Sequence, residues 1–388
     1  MNFIHIKPHF LHRKHSAHDI FAKLSVFVKK NAVMCIAFCA AFLTSLIVPI
    51  DAEYKNYFDF KTLSCLFCVL AVVCALKNIN FFYILARKVV WLCKNARMSV
   101  LALVYITFIG SMLIANDMAL LTFLPLGYFV LTQTHTEKYM AFTFIMQNIA
   151  ANLGGMLTPF GNPQNLYLYS KFQIPTAEFI SIMALPFAIS VILITLCCFV
   201  FVKAEPLSVT DEKISLPPIR TVLYLVLFAL SIAIVFRGIH YLWGLAIIPF
   251  VLLFADRKAL SSVDYGLLLT FVFFFIFAGN MARIEPVRAL FSFLLKKNTL
   301  LFSVISCQVI SNVPSAVLLS QFTQNYQELL VGVNIGGVGT LISSLASLIT
   351  FKEYVRLNPD KTKHYIALFS LFNFGFLIAL TAFMLLLY

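Results

Sequence analysis

Charge is what this sequence has least of. Asp, Glu, Lys and Arg make up 12% of its 388 residues, and only 16 side chains are acidic. Soluble domains carry about 25% charged residues, so this composition excludes one. A cleavable leader is not expected either. The first apolar run starts near residue 31, behind a basic stretch, and has the length of a span. What fills the chain instead is hydrocarbon: 61% hydrophobic residues, 41 of them Phe, and a mean hydropathy of +0.92. Several runs approach the roughly 20 residues that cross a bilayer. The expectation is an all-α polytopic membrane protein.

The apolar runs place about nine spans near 31–50, 60–79, 139–169, 178–202, 219–236, 241–255, 265–281, 326–350 and 365–388. Two further stretches, 98–133 and 299–322, carry a polar break at mid-length and read as re-entrant helical hairpins. With the N-terminus inside, 21 of the 29 Lys and Arg fall on the inner side and 8 on the outer, leaving the C-terminus outside. This is the positive-inside asymmetry. The net charge of +13 therefore reports orientation, and nucleic acid is not an expected partner.

Cys65 and Cys68 form a CxxC within a spanning run, where apolar packing is the expected role. His5, His9, His12, His15 and His18 lie in residues 1–30, a basic cytoplasmic tail suited to solvent or a membrane surface. Metal is not expected at either place. Phe81–Arg97 is apolar on one side and basic on the other, which suits an interfacial helix, and Arg283–Lys297 holds the matching place later in the chain.

One pattern occurs twice: Asn152, Gly154, Gly155 and Thr158, then Asn334, Gly336, Gly337 and Thr340, at identical spacing. Each copy follows a polar break, Asn116-Asp117 in one stretch and Ser311-Asn312-Val313-Pro314 in the other. The chain thus divides into a first repeat (31–202), a linker and connecting helix (203–240) and a second repeat (241–388). Counting crossings inverts the second relative to the first. Lipid tolerates broken backbone only where it is buried or lines a cavity, and paired breaks in two halves point to a transporter's binding site.

Broken helices expose N–H ends that suit an anion and carbonyl ends that suit a small cation. Asp117 is the most telling residue, because a carboxylate at membrane depth must be protonated, paired or ion-bound. It could also cap its helix. The expected ion-coupling set is Ser111, Asn116, Asp117, Asn152, Gly154, Asn312, Asn334 and Gly336. The expected substrate-binding set is Asn116, Thr158, Asn162, Asn165, Ser311, Asn312 and Thr340. The second break looks milder than Thr158–Asn165, so most contacts are expected from the first half.

These motifs resemble the ion transporter superfamily of arsenite permeases, citrate and dicarboxylate carriers and antiporters of the same fold. The likeness covers roughly residues 31–388 and is nearest to citrate-transporter-like anion permeases of bacteria. It implies an elevator mechanism and a homodimeric scaffold. In the dicarboxylate carriers each tip bears Ser-Asn-Thr; here the triplets are Ala115-Asn116-Asp117 and Ser311-Asn312-Val313. Both Asn match, whereas both Thr and one Ser are replaced. Ser111 matches a sodium-contacting Ser.

The expected function is secondary active transport of a small anion across the cytoplasmic membrane, with sodium or a proton as coupling ion and no other cofactor. A cation/proton antiporter built on Asp117 is the alternative. A channel fits paired breaks less well. An intramembrane hydrolase is remote: Asp117 has no evident acidic partner, and His135, His240 and His364 fall near loops.

Overall fold

A computed structural model describes residues 28, 31–207 and 216–388. The His-rich tail lies outside the described residues, as do residues 208–215 of the linker. Among the described residues the fold is α-helical, with a single isolated β-bridge between Asn95 and Pro206. The helices are α1 (Ala32–Ile47), α2 (Phe60–Asn78), α3 (Phe81–Trp91), α4 (Ala96–Ile114), α5 (Asn116–Gln133), α6 (Met140–Gly154), α7 (Pro163–Lys171), α8 (Thr176–Phe201) and α9 (Pro218–Val235). There follow α10 (Tyr241–Ala255), α11 (Arg257–Ser261), α12 (Tyr265–Arg283), α13 (Glu285–Lys297), α14 (Thr299–Ile310), α15 (Asn312–Leu319), α16 (Tyr326–Ile335), α17 (Leu345–Leu357) and α18 (Thr362–Leu385).

Among the described residues, six segments are helical, long and apolar enough to cross a membrane: α2, α4, α8, α9, α12 and the Pro359–Leu385 segment that contains α18. The shorter α1, α10 and α14 are apolar as well. The chain is a polytopic membrane protein. Its outward faces are hydrocarbon: Ile36, Phe42 and Leu46 on α1 and Trp243, Phe250 and Phe254 on α10 are exposed. Polar atoms on such faces would be unpaired in lipid, so the polar side chains lie inside.

Helix α6 is buried nearly all round, and α7 from Pro163 to Ser170. They are the centre of the molecule. Helix α4 packs on α5 and α6, and α14 packs on α15 and α16. The two arrangements interlock, because α7 packs on α15 and α16 while α17 packs on α5 and α6. A separate group forms where α12 packs on α1 and where α9 and α10 pack on α2. It touches the centre through α12 against α15 and α2 against α7.

Helix ends follow their sequence signals. Asn95 and Asn298 cap α4 and α14, accepting from Met98 N at 2.9 Å and Leu301 N at 2.7 Å. Pro163 occupies the first turn of α7, where its missing N–H costs nothing. The second break proves at least as extensive as the first. Helix is lost from Gly336 through Ser344, nine residues without an α-helical turn. A run of Ser and Gly was misleadingly mild: Ser343 and Ser344 bond locally to Thr340 O and Ser347 N, which competes with the helix.

Candidate functional site

Two helix breaks face the centre, and their backbones are alike. Ala115 lies at φ 68°, ψ 154° and Ser311 at φ 75°, ψ 160°. Residues other than Gly seldom adopt this region, which costs on the order of 1–3 kcal/mol and is held only where the surroundings demand it. Directly after each, an Asn side chain accepts from the next backbone N–H at 2.9 Å: Asp117 N to Asn116 Oδ1, and Val313 N to Asn312 Oδ1. Both Asn are buried.

The glycine-bearing segments dock beneath these tips in the same way. A Cβ on Gly154 would strike Phe108 O and come within 2.6 Å of Ser111 Oγ; one on Gly336 would come within 2.7 Å of Cys307 Cβ. Ser111 and Cys307 each lie four residues before the strained tip. Thr158 Oγ1 donates to Met112 O at 2.8 Å, and Thr340 Oγ1 donates to Gln308 O at 3.1 Å. Met112 and Gln308 each lie three residues before the tip.

Between the breaks runs a buried network of amides. Asn116 Nδ2 donates to Asn152 Oδ1 at 3.3 Å, and Asn152 Nδ2 donates to Asn148 O at 3.1 Å. Asn162 Nδ2 donates to Asn152 O and to Asn334 Oδ1, both at 3.2 Å. Asn334 Nδ2 donates to Asn165 Oδ1 at 2.6 Å. Asn165 Nδ2 in turn reaches Gly155 O at 3.1 Å, Met156 O at 3.2 Å and Thr158 O at 3.3 Å, satisfying carbonyls the break leaves without helical partners. A Cβ on Gly337 would sit 3.0 Å from Asn312 Nδ2 and 3.4 Å from Asn152 Oδ1, so the second tip closes on the same point.

Every residue expected in the site from sequence thus lies on one of the two tips or the two broken segments. Their duties differ. Asn165 is a brace, with its amide committed to backbone and to Asn334. The Thr158 and Thr340 hydroxyls are committed as donors, leaving lone pairs. Among the residues expected in the site, two buried acceptors receive no hydrogen bond from any described residue: Asp117 Oδ1 and Asn162 Oδ1. The first-turn N–H of Asp117 is taken by Asn116, and the Asp117 carboxylate accepts from no backbone N–H of α5, so Asp117 does not act as its cap. An open carboxylate oxygen and an open amide oxygen suit a cation or a proton.

Sequence reasoning missed Asn148, Asn373 and the brace made by Gln308. Asn148 Nδ2 donates to Ser347 Oγ and Asn373 Oδ1, both at 3.3 Å, carrying the amide network to α17 and α18. Asn148 stands one turn before Asn152 on a helix buried all round, and that spacing was the available signal. Among the described residues no three His, Cys, Asp or Glu converge. Cys65 and Cys68 are free and buried within α2.

The chain is similar to known membrane proteins along most of its length. It is 32% identical over 311 residues to an uncharacterized transporter of Methanocaldococcus jannaschii, covering 80% of this chain and 85% of that protein. It is 31% identical over 284 residues to the inner membrane protein YbiR of Escherichia coli, covering 70% and 74%. A shorter stretch of 135 residues is 29% identical to the silicon efflux transporter LSI3 of Oryza sativa subsp. japonica, covering 34% and 27%. Residues 20–331 match the citrate transporter family, and with its polytopic fold the chain belongs to that family of membrane transporters.

Proposed function

We propose that the protein is a secondary active transporter of a small anion, working by elevator-type alternating access and coupled to sodium or a proton. The observation that carries the reading is the matched pair of breaks bridged by Asn162, Asn334 and Asn165. Two like half-sites sharing one buried network suit a centre that is approached from either side in turn. The anion class comes from the family, and citrate is its first candidate.

The hairpin and repeat assignments draw support from the feet of each helix pair. Ala96 N donates to Glu205 O at 2.8 Å while Lys138 Nζ donates to Glu205 Oε1 at 2.7 Å, so both ends of α4–α5 meet one short segment. At the other pair Phe291 stacks on Phe322 at 5.0 Å and also contacts Phe302 at 5.9 Å. Both pairs therefore fit re-entrant hairpins, within inverted repeats at 31–202 and 241–388 joined by 203–240. Polar ties also join segments that charge counting puts on one side: Arg283 to Asp51 and Tyr326 to Glu178 outside, Lys138 to Glu205 inside. This fits an N-terminus inside and a C-terminus outside in the cytoplasmic membrane. In this reading the α1, α2, α9, α10 and α12 group is the scaffold, and it pairs two copies into a homodimer.

The open oxygen of Asp117 favours one second reading, a cation/proton antiporter in which Asp117 alternates between ion and proton. Both readings meet in one experiment. Purified protein in proteoliposomes is given sodium or pH gradients and radiolabelled citrate, arsenite or silicic acid. Gradient-driven accumulation of an anion supports the transporter. Cation exchange without any anion supports the antiporter and sinks the first reading.

A further inference from the structure

We propose that Gln308 is the positioning residue of the second half-site, acting through the broken backbone rather than by touching substrate. Its role as a functional group rests on the transporter reading; its role as a brace does not. Gln308 lies in the last turn of α14, three residues before the strained Ser311. Its Nε2 lies 2.9 Å from Gly336 O, 3.2 Å from Val338 O and 3.2 Å from Val304 O. Its Oε1 accepts from Thr340 N at 2.9 Å. Only this amide orientation gives every group a complementary partner. One side chain therefore satisfies three backbone groups of a nine-residue gap in the helix. Gly339, at φ +123°, passes so close that a Cβ there would strike Oε1, so the chain is wrapped around this amide.

From the braced loop the contacts lead to the tip. Gly337 O accepts from Ser343 Oγ at 2.9 Å, and Ser343 O accepts from Asn312 N at 2.9 Å and Ser311 Oγ at 3.2 Å. Gly337 itself stands against Asn312, Asn334 and Asn152. Holding the loop thus holds Asn312 in register with the first half-site.

The first half solves the same problem from another place. Met112 holds the position of Gln308, and its carbonyl receives the matching threonine, but its thioether cannot brace a backbone. Asn165, on α7, does so instead. The first broken segment is thus braced from within, whereas the second is braced by its own helix pair. The second tip and its loop are bound as one piece, and Gln308 is the pin.

The test uses the full-length protein in detergent and in proteoliposomes. In Gln308→Met, amide exchange across 336–343 and at Asn312–Val313 is expected to speed by about tenfold, the equivalent of one lost net hydrogen bond, while 154–162 exchanges as in the wild type. For radiolabelled citrate, KM is expected to rise about tenfold with a maximal rate within about twofold of wild type. Gln308→Glu keeps the acceptor for Thr340 N but regains a donor only when protonated. Its deficit relative to the wild type should therefore shrink on acidification, whereas that of Gln308→Met should not. Unchanged exchange in 336–343, loosening that spreads equally to 154–162, a falling maximal rate at constant KM, or a Gln308→Glu deficit that ignores pH would each overturn the proposal. A wild type that takes up no citrate argues against citrate as the substrate, and the exchange measurement then decides the brace alone.

Discussion

Asn334 Nδ2 donates to Asn165 Oδ1 at 2.6 Å across 169 positions of sequence, and neither residue is more than 1% exposed. Both lie on broken helices from opposite halves of the chain. Asn165 also serves three carbonyls, so one amide holds its own break and ties it to the other.

Replacing Asn165 by Leu should therefore be costly. It strips the carbonyls of Gly155 and Met156 of their side-chain donor, leaves Thr158 O with Gly161 N alone, and costs the buried Asn334 amide one of its two acceptors. A loss of about 1–3 kcal/mol is expected. Thermal unfolding in detergent measures it. A cycle with Asn334→Ala should show the two substitutions to be non-additive, since they share a bond.

Close approach makes a second prediction. Gly154→Ala places a methyl against Phe108 O and Ser111 Oγ, both part of α4, and must push α6 away from it. Overpacking of this kind costs about 1–3 kcal/mol. Gly375→Ala is the control, because nothing lies within 4 Å of the added carbon. Equal melting temperatures for the two variants would show that the α4–α6 contact is slack.

Asp117 is expected to carry the coupling. With an amide in place of the carboxylate, the open acceptor loses its charge and its capacity to take up a proton. Asp117→Asn should still insert in the membrane and fold, but its uptake should no longer respond to the imposed sodium or pH gradient. Uptake by wild type and variant under each gradient checks this, and an unaltered response removes Asp117 from the coupling role.

The segment that meets both feet of α4–α5 has a pH signature. The Lys138 ammonium beside Glu205 holds that carboxyl below the ordinary glutamate value of 4.5. A depressed carboxyl stabilises the fold above its unfolded pKa, and the contribution fades as pH falls through the lower folded value. Glu205→Gln should then lower the melting temperature by a constant amount from neutral pH down toward 4.5, and the gap should close in stronger acid. A gap that widens on acidification contradicts the sign.

Much of the site was legible before folding because its signals are local. Pro163 and Pro314 suit the first turn of a helix and so mark a fresh start after a break, Asn and Ser compete for backbone donors, and Asp117 stands alone in hydrocarbon. Those features located both breaks. Division of labour among them was not legible. Asn165 and Asn162 share one motif, yet the first is a brace and the second keeps an open oxygen. Gln308 looked like an ordinary polar residue near a tip, and the carbonyls it serves lie 28 and 30 positions away.

The sequence by itself determined the solvent. With so little charge and so many apolar runs, the chain belongs in lipid, and lipid demands that each backbone break be answered by some polar partner. That demand settles that partners exist and roughly where in the chain the breaks fall. It is silent on which donor meets which acceptor, since many amides could answer any one carbonyl. Only the tertiary structure chose, by crossing α7 over α15 and α16 and α17 over α5 and α6. Close packing then fixed which neighbours each amide of the network serves, and left Asp117 and Asn162 each with an oxygen that has none.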